Sequence, residues 1–189
     1  IANTTAQNNT AVGNYSLGVN TTGANNVAMG HAALDANNAA DNTALGYRSL
    51  GANTTGTENV AVGKDALLTN TTADGNTAVG HMSIKLNTTG FNLTAVGNRT
   101  LEANTDGDYN TAIGAQALRA NTTGVSNTAL GDSALKANTT GARNIAIGPN
   151  AYDASDTEND NIAIGFDAMT TDTAGGQYNI GIGNYSLDA

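Results

Sequence analysis

The chain has no cysteine and no tryptophan, a single proline (Pro149) and only two phenylalanines, Phe91 and Phe166, in 189 residues. Without cysteine there is no disulfide framework and no thiol chemistry, although this fixes no compartment. Scarce aromatics leave few large side chains for a compact core. Basic residues are also few: 7 Lys and Arg stand against 16 Asp and Glu, for a net charge of −9. Phosphate backbones are bound by clusters of Lys and Arg, so nucleic-acid binding is excluded. The scattered acids serve instead to keep a long surface soluble. No run approaches the roughly 18 apolar residues of a membrane span, so no membrane insertion is expected of this segment. The opening, "IANTT", shows no signal-peptide pattern and starts in mid-phrase, as expected of a processed product or an excised segment.

What fills the chain is a repeat. A word of the form "NTAVG" closes on Gly13, Gly30, Gly46, Gly63, Gly80, Gly97, Gly114, Gly131, Gly148, Gly165 and Gly183, with spacings of 17 except for one of 16 and one of 18. Just before each glycine stands Val, Met, Leu or Ile. Two before it stands Ala, relaxed only to Gly181, and three before it Thr, Val or Ile. Four before it stands Asn, replaced once by Leu93. Four after the glycine comes a second apolar residue, from Leu17 through Leu135 to Tyr152, Met169 and Leu187. Seven after it comes Asn, from Asn20 to Asn138, then Ser155 and Asp172; "TTG" often follows.

A period of 17 is too short for paired-helix repeats. Thr, Val, Ile, Asn and Gly are also poor helix formers. Alternation of period two predicts a short strand in each word, with a second short strand carrying the "AL" pair and Gly and "NTTG" supplying the turns. Two strands and two turns make one coil of a parallel β-solenoid. About eleven coils stacked about 4.8 Å apart give a rod about 53 Å long. The chain reads as one repeat domain over residues 1–189, all-β, with no capping repeat at either end. Asn side chains are expected to stack in ladders, each amide donating to the next. The branched residues of the word are expected inward. The Ala column, on the opposite face, is size-limited and is expected to pack against another chain. On that reading Ala129→Leu disrupts assembly.

The words "NNVAMG" (Asn25–Gly30), "ENVAVG" (Glu58–Gly63), "RNIAIG" (Arg143–Gly148) and "DNIAIG" (Asp160–Gly165) resemble the "NSVAIG" repeat of the YadA-like head domains of trimeric autotransporter adhesins. The full period is similar to "NTAVG…AL…NTTG" arrays of phage tail-fibre proteins. The resemblance spans essentially the whole chain. It implies a left-handed parallel β-roll, assembly as a homotrimer, and a place outside the cell, on a bacterial surface or in a virion tail fibre. The coils here are longer than those of adhesin heads, through the "xANTTGxx" segment, and no ligand-binding residue is carried over.

Candidate chemistry is sparse. His31 and His81 share the position just after the word glycine with Asn14, Lys64, Asp132 and Phe166, which marks a variable surface turn rather than a metal or catalytic pair. No Ser-His-Asp constellation has a base at hand. Asp167 and Asp172 read as solvated turn residues. In the one stretch that breaks the rhythm, Pro149 to Asn161, Asp153, Asp156, Glu158 and Asp160 are closely spaced oxygen donors for Ca²⁺, yet without the Gly and terminal Glu of an EF-hand loop; a plain acidic outer loop is the favoured reading. The N-x-T triplets at Asn20, Asn53, Asn92 and Asn98 follow from the repeat itself. Five after each glycine, Asp35, Lys85, Glu102, Arg119 and Lys136 vary freely on a solvated face where recognition could evolve. No enzyme, cofactor, metal or catalytic residue is expected. The first reading is a trimeric fibre segment, with a cell-surface receptor or glycan as a possible partner. The others are a filament of subunits stacked end to end, and a monomeric ice-binding-like solenoid using Thr21-Thr22, Thr54-Thr55, Thr88-Thr89, Thr122-Thr123 and Thr139-Thr140.

Overall fold

A computed structural model describes residues 5–154, 156–170 and 176–188. Each repeat word forms one three-residue strand: β1 (Thr10–Val12), β2 (Val27–Met29), β3 (Thr43–Leu45), β4 (Val60–Val62), β5 (Thr77–Val79), β6 (Thr94–Val96), β7 (Thr111–Ile113), β8 (Thr128–Leu130), β9 (Ile145–Ile147), β10 (Ile162–Ile164) and β11 (Ile180–Ile182). They pair in chain order as a single parallel sheet of eleven strands. The register never slips: Ala112 lies opposite Ala129, and Ala129 opposite Ala146. The described residues form a parallel β-solenoid without helices. The 16-residue step between Gly30 and Gly46 is absorbed outside the strands, since Val27 still pairs with Thr43.

The second strand expected at the "AL" pair is not there. Residues after each word glycine run through two successive turns, with positive φ two and four residues on, as at Ser133 (57°) and Leu135 (52°). These turns still join coil to coil. Leu118 N–H donates to Ala134 O at 2.9 Å, and Ser133 N–H donates to Ala115 O at 2.9 Å. Alternating right- and left-handed residues turn successive peptide groups up and down the rod axis. The backbone is therefore satisfied by neighbouring coils without extended geometry. Holding Leu in the left-handed region costs about 1 kcal/mol or more per residue, which the surrounding bonds must offset.

The word glycine is needed for two reasons at once. At Gly131, φ is +142°, and a Cβ would sit 2.4 Å from the carbonyl oxygen of Gly148 in the next coil.

The core reverses the expected faces. Ala28, Ala44, Ala61, Ala78, Ala95, Ala112, Ala129, Ala146 and Ala163 point into the coil and are buried, while the residues flanking them on each strand point outward. The interior opposite the Ala column holds the fully buried Leu17, Leu34, Leu50, Leu67, Ile84, Leu101, Leu118 and Leu135, with Tyr152 in the same place further on. A coil this slim has room for one long side chain, and Leu from the turn takes it. The strand must then contribute something no larger than a methyl group. The Ala column is size-limited by its own coil and not by a second chain. Gly181 follows the same logic, since a Cβ there would meet the Met169 side chain at 2.8 Å.

Two columns of buried Asn close the coil. One is an amide ladder, in which Asn87 Nδ2 donates to Asn70 Oδ1, Asn104 to Asn87, Asn121 to Asn104 and Asn138 to Asn121, at 2.8–2.9 Å. Each amide also holds the carbonyl three residues on, as Asn104 does with Gly107 at 3.0 Å. The second column works differently. Asn127 Oδ1 accepts the backbone N–H of Asn144 at 3.0 Å, while its Nδ2 donates to Gly141 O at 2.7 Å. Leu93 interrupts this column and offers no oxygen to Asn110.

Two substitutions test this interior. Asn104→Ala strands Asn87 Oδ1 and the Gly107 carbonyl in the core and should cost about 2–4 kcal/mol, because a buried group left without its partner costs about 1–3 kcal/mol. Chemical denaturation would measure it, and a loss below about 0.5 kcal/mol would show the ladder to be ornamental. Ala129→Leu forces three extra carbons into a filled coil and should destabilise the single chain by at least about 1–3 kcal/mol. A melting temperature equal to that of the parent would place Ala129 outside the core.

Candidate assembly face and groove

Outward from the sheet project two columns of side chains, Thr, Val or Ile at the first strand position and Val, Met, Leu or Ile at the third. Inside the sheet, Met29 is 51% exposed, Val96 38%, Ile113 40% and Leu130 45%. These side chains are branched or long because they lie on a parallel sheet surface, where such residues pack well. The third-position side chains form an apolar stripe along all eleven strands, about 48 Å long at about 4.8 Å per strand, beside a first-position column that mixes Thr with Val and Ile. Exposed apolar stripes of this extent are uncommon on isolated chains and mark sites of interaction. The close packing anticipated between chains at Ala is packing inside the coil, and the exposed apolar side chains lie on the opposite side of the strand.

A second feature lies on the turns. An open groove of about 610 Å³ runs along coils near the middle of the rod, lined by Leu86, Glu102, Ala103, Arg119, Ala120, Lys136, Ala137 and Asp153. Its floor is the run Ala103, Ala120 and Ala137, six residues after successive word glycines. Its charged wall is the column immediately before them. Glu102 receives Arg99 Nε at 2.9 Å and Arg119 Nε at 3.0 Å. Burial pushes the Glu102 carboxyl up, but the hydrogen bonds from Arg99 and Arg119 outweigh it and hold the group below its ordinary value of 4.5. Burial, with Asp167 nearby, pushes Asp153 up, only partly opposed by Lys136. A smaller cleft of about 270 Å³ occupies the same corner further along, with Asp35 and Arg48 beside Ala32, Gly51, Ala52, Leu68 and Thr69.

The residues singled out in the sequence are dispersed. His31 stacks on Tyr47 with ring centroids 5.4 Å apart and meets Tyr15 edge-on at 5.9 Å. His81 lies beside Asn98, with 3.3 Å between its Nδ1 and the amide nitrogen. The acids of the irregular loop go to separate partners. Asp153 lines the groove, Asp160 holds the Arg143 guanidinium at 2.6 and 2.7 Å, and Glu158 turns inward to accept the N–H groups of Asp156 and Thr157. Among the described residues no group of three or more His, Asp or Glu is placed to hold a metal ion. Asp167 Oδ1 accepts Asn150 Nδ2 at 2.9 Å, and Asp172 lies outside the described residues. In the Thr arrays the first hydroxyl of several pairs is spent on the fold: Thr88, Thr122 and Thr139, like Thr105 between them, each donate to a carbonyl of the next coil at 2.8–3.1 Å. No helix among the described residues is long and apolar enough to cross a membrane.

The architecture defines a parallel β-solenoid with one apolar face. No family model matches the chain, and neither the curated proteins nor the solved structures contain a match.

The charge on Glu102 gives a pH test. A carboxylate held low in the folded state contributes stability that is complete above its unfolded value and is lost as pH falls through the folded one. Stability should therefore drop as the pH is taken below 4.5. Arg119→Gln should flatten that drop in a comparison of denaturation midpoints at neutral and acid pH. An unchanged profile in the variant would mean that Arg119 does not stabilise the charge.

Proposed function

We propose that the chain is a structural and adhesive rod that assembles through the outward face of its strands, as a homotrimer of left-handed rolls in an extracellular fibre of the tail-fibre or surface-adhesin kind. The observation that carries this reading is the apolar stripe. It runs the length of the sheet, and a second and third copy would cover it. The resemblance of the repeat words to trimeric adhesin heads supports the number three. The rod contributes stiffness and a surface, and catalysis has no place in it.

A head-to-tail filament is the second reading, in which the solenoid of one subunit continues that of the next by parallel pairing of coil on coil. The ice-binding reading is weakened, because the first Thr hydroxyl of several pairs is engaged between coils.

Light scattering should give three times the 18.9 kDa mass of one chain. Ile113→Lys with Leu130→Lys, on adjacent strands and pointing outward, should leave the circular dichroism unchanged and reduce the mass to that of a monomer. A long polymer in the parent would favour the filament instead, and an intact trimer in the double variant would show that assembly does not use this face.

A further inference from the structure

We infer that the groove over Ala103, Ala120 and Ala137 is a binding site for an acidic glycan, taking a short run of carboxylate-bearing pyranose rings. This deepens the reading of the rod as adhesive but does not depend on the trimer. The volume is that of a small-ligand site, in the range of about 300–1,000 Å³. Its chemistry is divided as a sugar requires: a flat floor of methyl groups for the apolar face of a ring, and charged groups along one wall for its rim. Leu86, 43% exposed, closes one end with an apolar side chain, and Asp153 closes the other with an acceptor for hydroxyls.

The charges indicate which sugar. Glu102 is already neutralised by Arg99 and Arg119. Arg119 spends its Nε on Glu102 and sets Nη1 3.5 Å from Gln116 Oε1, which leaves Nη2 without a protein partner among the described residues, in a side chain that lines the groove. Lys136, one coil on, makes no salt bridge within 4.0 Å among the described residues. Two cationic donors on successive coils thus face the groove of a rod whose net charge is −9. A carboxylate on the ring would be held between them by charge-assisted hydrogen bonds.

A peptide fits less well. Extended peptides add to a free strand edge or seat side chains in pockets. Here the floor's N–H groups are spent on the next coil, Ala103 on Arg119 O, Ala120 on Lys136 O and Ala137 on Asp153 O, at 3.0–3.1 Å, and the floor is lined by methyl groups.

Calorimetric titration of the full chain with trisaccharides of galacturonate, mannuronate and glucuronate, and with uncharged galactose trisaccharide, tests this. At least one uronate should bind, and the uncharged sugar should bind at least about tenfold more weakly, since a charged hydrogen bond is worth about 1.5–3 kcal/mol and each 1.4 kcal/mol is tenfold. Lys136→Gln and Arg119→Gln should each weaken binding about tenfold or more. Lys85→Gln, on the same column but outside the groove, should not, and circular dichroism would verify the fold of each variant. Failure of every uronate at millimolar concentration, equal binding of the uncharged sugar, or unchanged affinity in Lys136→Gln would overturn the proposal. Light scattering on the same samples reads assembly separately, so a trimer that binds no uronate refutes the groove and leaves the rod standing.

Discussion

One long side chain fits across a coil of this solenoid, and everything else is arranged around that limit. Leu from the turn occupies the interior, so the strand facing it can offer only a methyl group. The small residue before each interior side chain, such as Ala134 before Leu135 or Ser83 before Ile84, is buried for the same reason. A core built from Ala and Leu in single file buries little apolar surface per residue. Stability must come from contacts between successive coils, as in other repeat architectures. The buried Asn columns supply much of it, because their amides satisfy carbonyls that a thin wall would otherwise leave without partners.

The repeat was legible in the sequence because spacing is a direct trace of coil geometry. Eleven words produced eleven strands, and the Asn positions produced the amide ladder. The direction of the side chains was not legible. Alternation separates two faces but does not say which is inside, and the usual preference of Val and Ile for the interior pointed the wrong way. What decides the matter is the Leu four residues past the glycine, which fills the space first; its partner across the coil is then recognisable as the invariably small Ala. The "AL" segment was misread for a related reason. Leu at positive φ is rare, and only bonding to the coils on either side holds it there, which local propensity does not report.

The groove was half visible. The variable charged column through Glu102, Arg119 and Lys136 read as a solvated face, and so it is along much of the rod. Its significance depends on the adjacent position, where Ala103, Ala120 and Ala137 remove the side chains that would fill the corner. Thr69 and Leu86 at the same position elsewhere narrow it. A run of four alanines in one column, Ala103 to Ala154, is a weak signal until the columns are known to be neighbours. The apolar stripe, in contrast, is a property of the whole sheet and of no single residue.

The substitution of Leu93 within the second Asn column bears on how such a rod fails. A pull along the axis passes through every coil in series, so the load at which the rod parts is set by its poorest junction and not by the average one. Between Leu93 and Asn110 the side-chain oxygen that elsewhere ties one coil to the next is missing, while the amide ladder at the same level, Asn87 to Asn104, is intact. The rod thus has a seam near its middle, where one of its two columns of side-chain bonds is interrupted while the backbone bonds of the sheet continue across it.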